Sequence, residues 1–136
     1  MTFQPQKPNP IFSTEEVDFH VSEAGIDPST VINAGAPFAV NLTVHFAGAF
    51  ASFIMAAGLQ LSFTVAAERI GAGPEGNLGT TTTVNTTPGQ FDYTGTVNVP
   101  AGLATRGTYL LTIAMTSRLV VPTPIAGFDQ IMIEII

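Results

Sequence analysis

Gly107-Thr-Tyr-Leu-Leu-Thr-Ile-Ala-Met-Thr-Ser-Arg-Leu119 is the stretch that decides the fold. Side chains on a strand alternate between two faces. Tyr109, Leu111, Ile113 and Met115 therefore share one face, and Thr108, Thr112, Ala114 and Thr116 share the other. An apolar row backed by a Thr-rich row predicts a strand through the middle of a β-sandwich, with other strands paired beside it and packed over it.

The flanking sequence supplies those strands. Phe38 to Phe46 alternates without a fault, with Phe38, Val40, Leu42, Val44 and Phe46 inward and Asn41, Thr43 and His45 outward. Leu59 to Ala67 repeats the pattern with Leu59, Leu61, Phe63 and Val65 inward, and Glu68 and Arg69 are expected to leave the sheet. Gln90 to Val99 places Phe91, Tyr93, Val97 and Val99 inward, with Gly95 interrupting the row at a bulge or under a bulky neighbour. Asp129 to Ile136 carries Ile131, Ile133 and Ile135 on one face. A first strand, Glu16 to Glu23, is predicted with Val17, Phe19 and Val21 inward. Thr80 to Thr87 reads as a polar edge strand, since β-branched Thr favours extended backbone. Turn residues separate the strands at Asp27-Pro28-Ser29, Asn33 to Pro37, Ile70 to Gly79, Pro88-Gly89 and Pro122 to Pro124. The result is an all-β, two-sheet antiparallel sandwich of seven or eight strands, a single domain over 15–136 preceded by an extended Pro-rich arm over 1–14.

The corner Pro100-Ala-Gly-Leu-Ala-Thr-Arg-Gly-Thr-Tyr-x-Leu-x-Ile resembles the entry to the sixth strand of immunoglobulin-like and fibronectin-type domains. That resemblance implies an immunoglobulin-like sandwich in which the Tyr109 hydroxyl bonds back to the loop before it. Leu111 stands where antibody-type domains place a cysteine, and Phe63 stands on the third strand in place of tryptophan. Tyr109 and Leu111 are thus expected to be structural residues.

Composition narrows the function. There is no cysteine, hence no disulfide, thiolate metal site or cysteine nucleophile. Four basic residues against ten acids leave a net charge of -6, unsuited to tracking nucleic-acid phosphates. The two histidines, His20 and His45, fall on outward faces of different strands, away from any serine elbow or metal-ligand spacing. Gly71 and Gly73 are followed by no Lys-Ser/Thr, which excludes a phosphate loop. No enzyme activity, metal or cofactor is expected. The N-terminus has no apolar signal core and no apolar run approaches the roughly 18 residues of a spanning helix, so membrane insertion is not expected and the compartment is left open.

Charged residues make up 10% of the chain, far below the usual share of about 25%. A covered surface accounts for that deficit, and two segments offer one. The arm carries Phe3, Ile11 and Phe12; the segment Ala47 to Gly58 is uncharged and carries Phe50, Phe53, Ile54 and Met55. The second segment is open to three readings: a cap on its own sandwich, a plug for a neighbour, or a dip into a membrane surface, the last disfavoured because interfacial helices usually carry basic residues that this segment lacks. The function expected is a non-catalytic structural or protein-interaction subunit that assembles with itself or with other protein subunits through these residues. The alternative is a small ligand- or glycan-binding module.

Overall fold

The computed structural model describes residues 11–23, 29–71, 75–118 and 126–136, without the side chains of 75–77, 79–82 and 126–128. The arm through residue 10 with Phe3, the Asp27-Pro28 turn, and Pro122 and Pro124 lie outside the described residues.

Eight strands and one helix follow in chain order: β1 (Ser13–Glu23), β2 (Val31–Ile32), β3 (Phe38–Ala47), α1 (Ala51–Ala57), β4 (Gln60–Arg69), β5 (Glu75–Asn85), β6 (Asp92–Val99), β7 (Gly107–Arg118) and β8 (Ala126–Ile135). They form a three-stranded sheet, β1-β3-β6, and a five-stranded sheet, β2-β8-β7-β4-β5. This is an all-β sandwich. Pairing is antiparallel except at β2, which runs parallel to β8 through Val31↔Glu134 and Ile32↔Ile135. An entirely antiparallel sandwich was expected; a two-residue strand inside a turn-rich stretch carries no alternation from which to read it. The backbone bonds Glu134 N–H to Thr30 O and Ile136 N–H to Ile32 O fix it there.

β7 lies between β4 and β8, the central place its sequence predicts. Tyr109, Leu111, Ile113 and Met115 are all fully buried or nearly so. The inward rows of β3 and β4 meet them, and Val40, Leu42, Val44, Leu61, Phe63 and Val65 are each 0% exposed. Three expectations need correction. Glu68 and Arg69 remain in β4, opposite Glu75 and Tyr109, and β5 begins at Glu75 inside the expected loop, because the β4–β5 ladder continues past its own irregularity between Thr64 and Ala66. In β1 the register slips between Glu16 and Asp18. The slip is a β-bulge, which inverts the alternation ahead of it. Phe19 and Val21 keep the inward row, but Val17 is turned out at 59% exposure while Thr14 is buried.

Gly95 explains the gap in the β6 row. A Cβ there would stand 2.3 Å from the Phe63 ring, so the absence of a side chain on one sheet makes room for a large buried ring of the other. Gly95→Ala is expected to destabilise the fold by about 1–3 kcal/mol, since overpacking forces a buried ring or the backbone to move. Urea unfolding measures it, and Phe63→Leu in the same chain should recover part of the loss.

Tyr109 donates its hydroxyl to Thr105 O at 2.7 Å, as expected of the corner. Tyr109→Phe should lower unfolding stability by about 1 kcal/mol in the same assay, because the side chain is fully buried and the bond is lost without a substitute.

Candidate functional site

Two surfaces and one buried cluster stand out. The first surface is the end of the sandwich where α1 crosses from β3 to β4. Its backbone begins at the turn after β3, where Phe50 N–H donates to Ile11 O at 2.9 Å. That approach needs Gly48, since a Cβ there would lie 2.5 Å from Ile11 O and its φ of +114° suits glycine. The helix is held from below by Met55, 0% exposed, and by Thr86. Thr86 Oγ1 accepts from Leu59 N–H at 2.7 Å and donates to Met55 O at 3.2 Å.

The residues expected at an interface separate on this frame. Phe50 and Phe53 are exposed, at 54% and 72%, beside Ile11 at 49%. Ile54 is half-buried against the core, and Met55 is turned wholly into the chain's own interior. Phe12 is half-buried and stacks on Phe46 at 5.5 Å, and Phe46 meets Tyr93 edge-on at 6.0 Å. The last residues assigned to the arm therefore pack on their own domain, with Ser13 and Thr14 already in β1. Phe3 is outside the described residues.

The second surface is the outward face of the three-stranded sheet. Register aligns His20–Asn41–Thr96, Asp18–Thr43–Thr94 and Glu15–His45–Asp92 across β1, β3 and β6. The side chains bond to one another along these rows. Thr96 Oγ1 donates to Asn41 Oδ1 at 2.9 Å, Asn41 Nδ2 donates to Ser22 Oγ at 3.2 Å, and Thr43 and Thr94 hydroxyls lie 2.7 Å apart. The imidazoles each hold a carboxylate through Nδ1, His20 with Asp18 at 2.6 Å and His45 with Asp92 at 2.9 Å. This face is a polar array whose side chains bond chiefly to one another.

The buried cluster was not foreseen. The bulge in β1 brings Glu16 onto the inward row, where its side chain hydrogen-bonds Asp129 of β8, 2% exposed. Burial pushes the Glu16 carboxyl up to about 8, assisted by that hydrogen bond and by the negative charges of Asp129 and Asp18. Oε1 of Glu16 and Oγ1 of Thr14 are buried with no hydrogen-bond partner. One half of this pair was readable: Asp129 has the parity of Ile131, Ile133 and Ile135 and so continues the core row. Among the described residues no group of three or more His, Cys, Asp and Glu is placed to hold a metal, and no helix is long and apolar enough to cross a membrane.

Comparison of the sequence with known protein families and with curated proteins finds no match. Among solved structures, the C-terminal domain of wzt is similar, with a TM-score of 0.58 and 14% identity over 90% of this chain and 73% of that one. At that identity the likeness concerns the β-rich fold alone.

The acid pair gives the fold a pH dependence. Unfolded, Glu16 loses its proton near 4.5; folded, it keeps it to about 8. Folding in that interval takes up a proton, so the contribution of Glu16 is complete below 4.5, falls as pH rises toward 8, and is then level. The urea midpoint of the native chain is expected to fall between pH 5 and pH 8 relative to Glu16→Gln, whose amide cannot ionise; parallel curves for the two would contradict this.

Proposed function

We propose that this chain is a non-catalytic, immunoglobulin-like interaction subunit that assembles with a second copy of itself through the apolar end built on α1. The strand order, the short parallel β2 beside β8 and the Tyr109 corner support the immunoglobulin-like assignment. One observation carries the functional reading: Phe50 and Phe53 are 54% and 72% exposed on a helix that is otherwise pinned by Met55 and Thr86. Two aromatic rings presented in water on an anchored element, with Ile11 beside them, form the kind of patch that interaction sites use. Aromatic residues at the centre of a contact carry most of its energy, while the rest of a standard interface excludes water around them. The short helix also has no side-chain N-cap and no charged residue in its first or last turn, so its exterior is apolar without interruption by a charge.

The outward face of the three-stranded sheet favours a second reading, a module that binds a polar ligand such as a glycan. Asn41, Thr43, Thr94 and Thr96 offer donors and acceptors in fixed register.

The assembly reading predicts that the chain sediments as a dimer, and that Phe50→Ser with Phe53→Ser weakens association at least about tenfold. The unfolding midpoint should stay within about 0.5 kcal/mol, since both side chains are exposed and Ser at residue 50 supplies the missing cap. A native chain that sediments as a monomer at its highest soluble concentration would exclude the assembly reading and leave the polar face as the working surface.

A further inference from the structure

Apart from Val17 at the β1 bulge, the large apolar side chains exposed among the described residues gather at two places. Ile11, Phe50 and Phe53 belong to the α1 end; Val31, Ile70, Met132 and Ile136, each between 50% and 57% exposed, do not. Strand register brings these four onto one patch. Tyr109, Ile133 and Ile135 point into the core, so Leu110, Met132 and Glu134 beside them face outward. Across the sheet Val31 lies opposite Glu134, Glu134 opposite Thr108, Met132 opposite Leu110, and Leu110 opposite Glu68. Ile70 joins at Thr108, whose carbonyl accepts its N–H at 2.8 Å, and Ile136 ends the chain of β8 with its N–H on Ile32 O. The patch is thus an apolar area on the outer face of the five-stranded sheet, set with two carboxylates, Glu68 and Glu134. Arg69 has the other parity and donates to Arg106 O.

The two apolar places lie at opposite ends of the sandwich. β4 starts beside α1 at Gln60 and reaches the patch at Glu68, about 27 Å further along the strand. A contact between two α1 ends would leave the far patch in water, and three side chains a side fall short of the roughly 800 Å² per partner of a standard interface. The arm supplies the link between the two places. Residues 1–10 hold Lys7 and no acid, and they enter the fold at Ile11, inside the α1 patch. Lys7 stands four residues before Ile11, a reach of about 14 Å at most. Glu68 and Glu134 of its own chain lie beyond that reach. Those of a neighbour lie within it once Ile11 is seated on the neighbour's far patch.

We propose that the α1 end of one copy docks head to tail on the far patch of the next, around Val31, Leu110 and Met132, with the arm continuing across it so that Lys7 meets Glu68 and Glu134. This rests on the assembly reading and names the surface that α1 meets. Such a contact uses different surfaces on its two sides and leaves one of each free, so it repeats until a ring closes or a filament grows. The dimer is its first step.

Sedimentation of the full chain over a range of concentrations tests it. Mass should continue to rise past the dimer. Phe50→Ser with Phe53→Ser removes the head, and Met132→Glu with Ile70→Ser removes the tail; all four side chains are exposed, so the urea midpoint should hold. Each double variant alone should associate at least about tenfold more weakly than the native chain. Mixed in equal amounts, they should form a one-to-one pair of native affinity that grows no further, because one supplies the tail and the other the head. Lys7→Glu should weaken association several-fold at low salt, and Glu68→Lys with Glu134→Lys in the same chain should restore it. Three results would overturn the head-to-tail contact: a native dimer that gains no mass at any concentration, a Met132→Glu/Ile70→Ser chain that assembles as the native one does, or a mixture of the two double variants that stays monomeric. The first two leave assembly through α1 standing, as a contact of two α1 ends; a monomeric native chain ends both readings.

Discussion

Phe63 fills the place that a side chain at residue 95 would take, and the two sheets approach each other around that contact. On its own sheet Phe63 stands opposite Met115 of β7; on the other, Gly95 stands opposite Leu42 of β3. The central rows of four strands therefore converge on one ring. A packed interior at crystal-like density has no room to accept a second large group there. The apolar rows of β3, β4, β6 and β7 can be long and regular because this single large-against-small pairing fixes how closely the layers sit. The corner at Tyr109 and the hydroxyl of Tyr93, which donates to Gln90 O and accepts from Thr87 N–H, then tie the connecting loops to that interior.

Away from the centre the interior is less uniform. β1 serves two purposes in its two halves. Phe19 and Val21 complete the core, whereas ahead of the bulge Thr14 is buried opposite Phe46 and the Glu16 side chain bonds Asp129. A buried carboxyl pair is weak support for stability, because desolvation offsets much of what the contact contributes.

Most of the sandwich was legible because its strands bury one face, and a buried face writes its period into the sequence. Phe38 to Phe46 and the row from Tyr109 to Met115 are such cases, and each lies where its alternation predicts. Legibility failed where that period breaks. Val17 reads as a core residue until a bulge changes the phase, and a bulge has no composition of its own here. Val31 and Ile32 are too few to alternate, and their pairing depends on β8, a hundred residues later. The segment from Ala47 to Gly58 left cap and plug open because both need an apolar helix. The fold divides it, with Met55 and Ala51 turned inward and Phe50 and Phe53 outward. Of the acid pair, Asp129 was visible by parity and Glu16 was not.

The low charge of the chain now has a narrower meaning. A surface can avoid charge either by being covered or by meeting water through neutral polar groups. The outward face of the three-stranded sheet takes the second course. Asn41, Thr43, Thr94, Thr96 and Ser22 bond to one another across the strands, and the two histidines sit with their own acids at its margins. Such a face needs no neighbour to be soluble, so the composition alone does not require an interface there. The α1 end is far less polar: its exposed residues include two phenylalanines, Ser52 is the one polar side chain within the helix, and none there is charged. The case for assembly therefore rests on that end and not on the average over the chain, and the polar face is left available for a ligand even in an assembled protein.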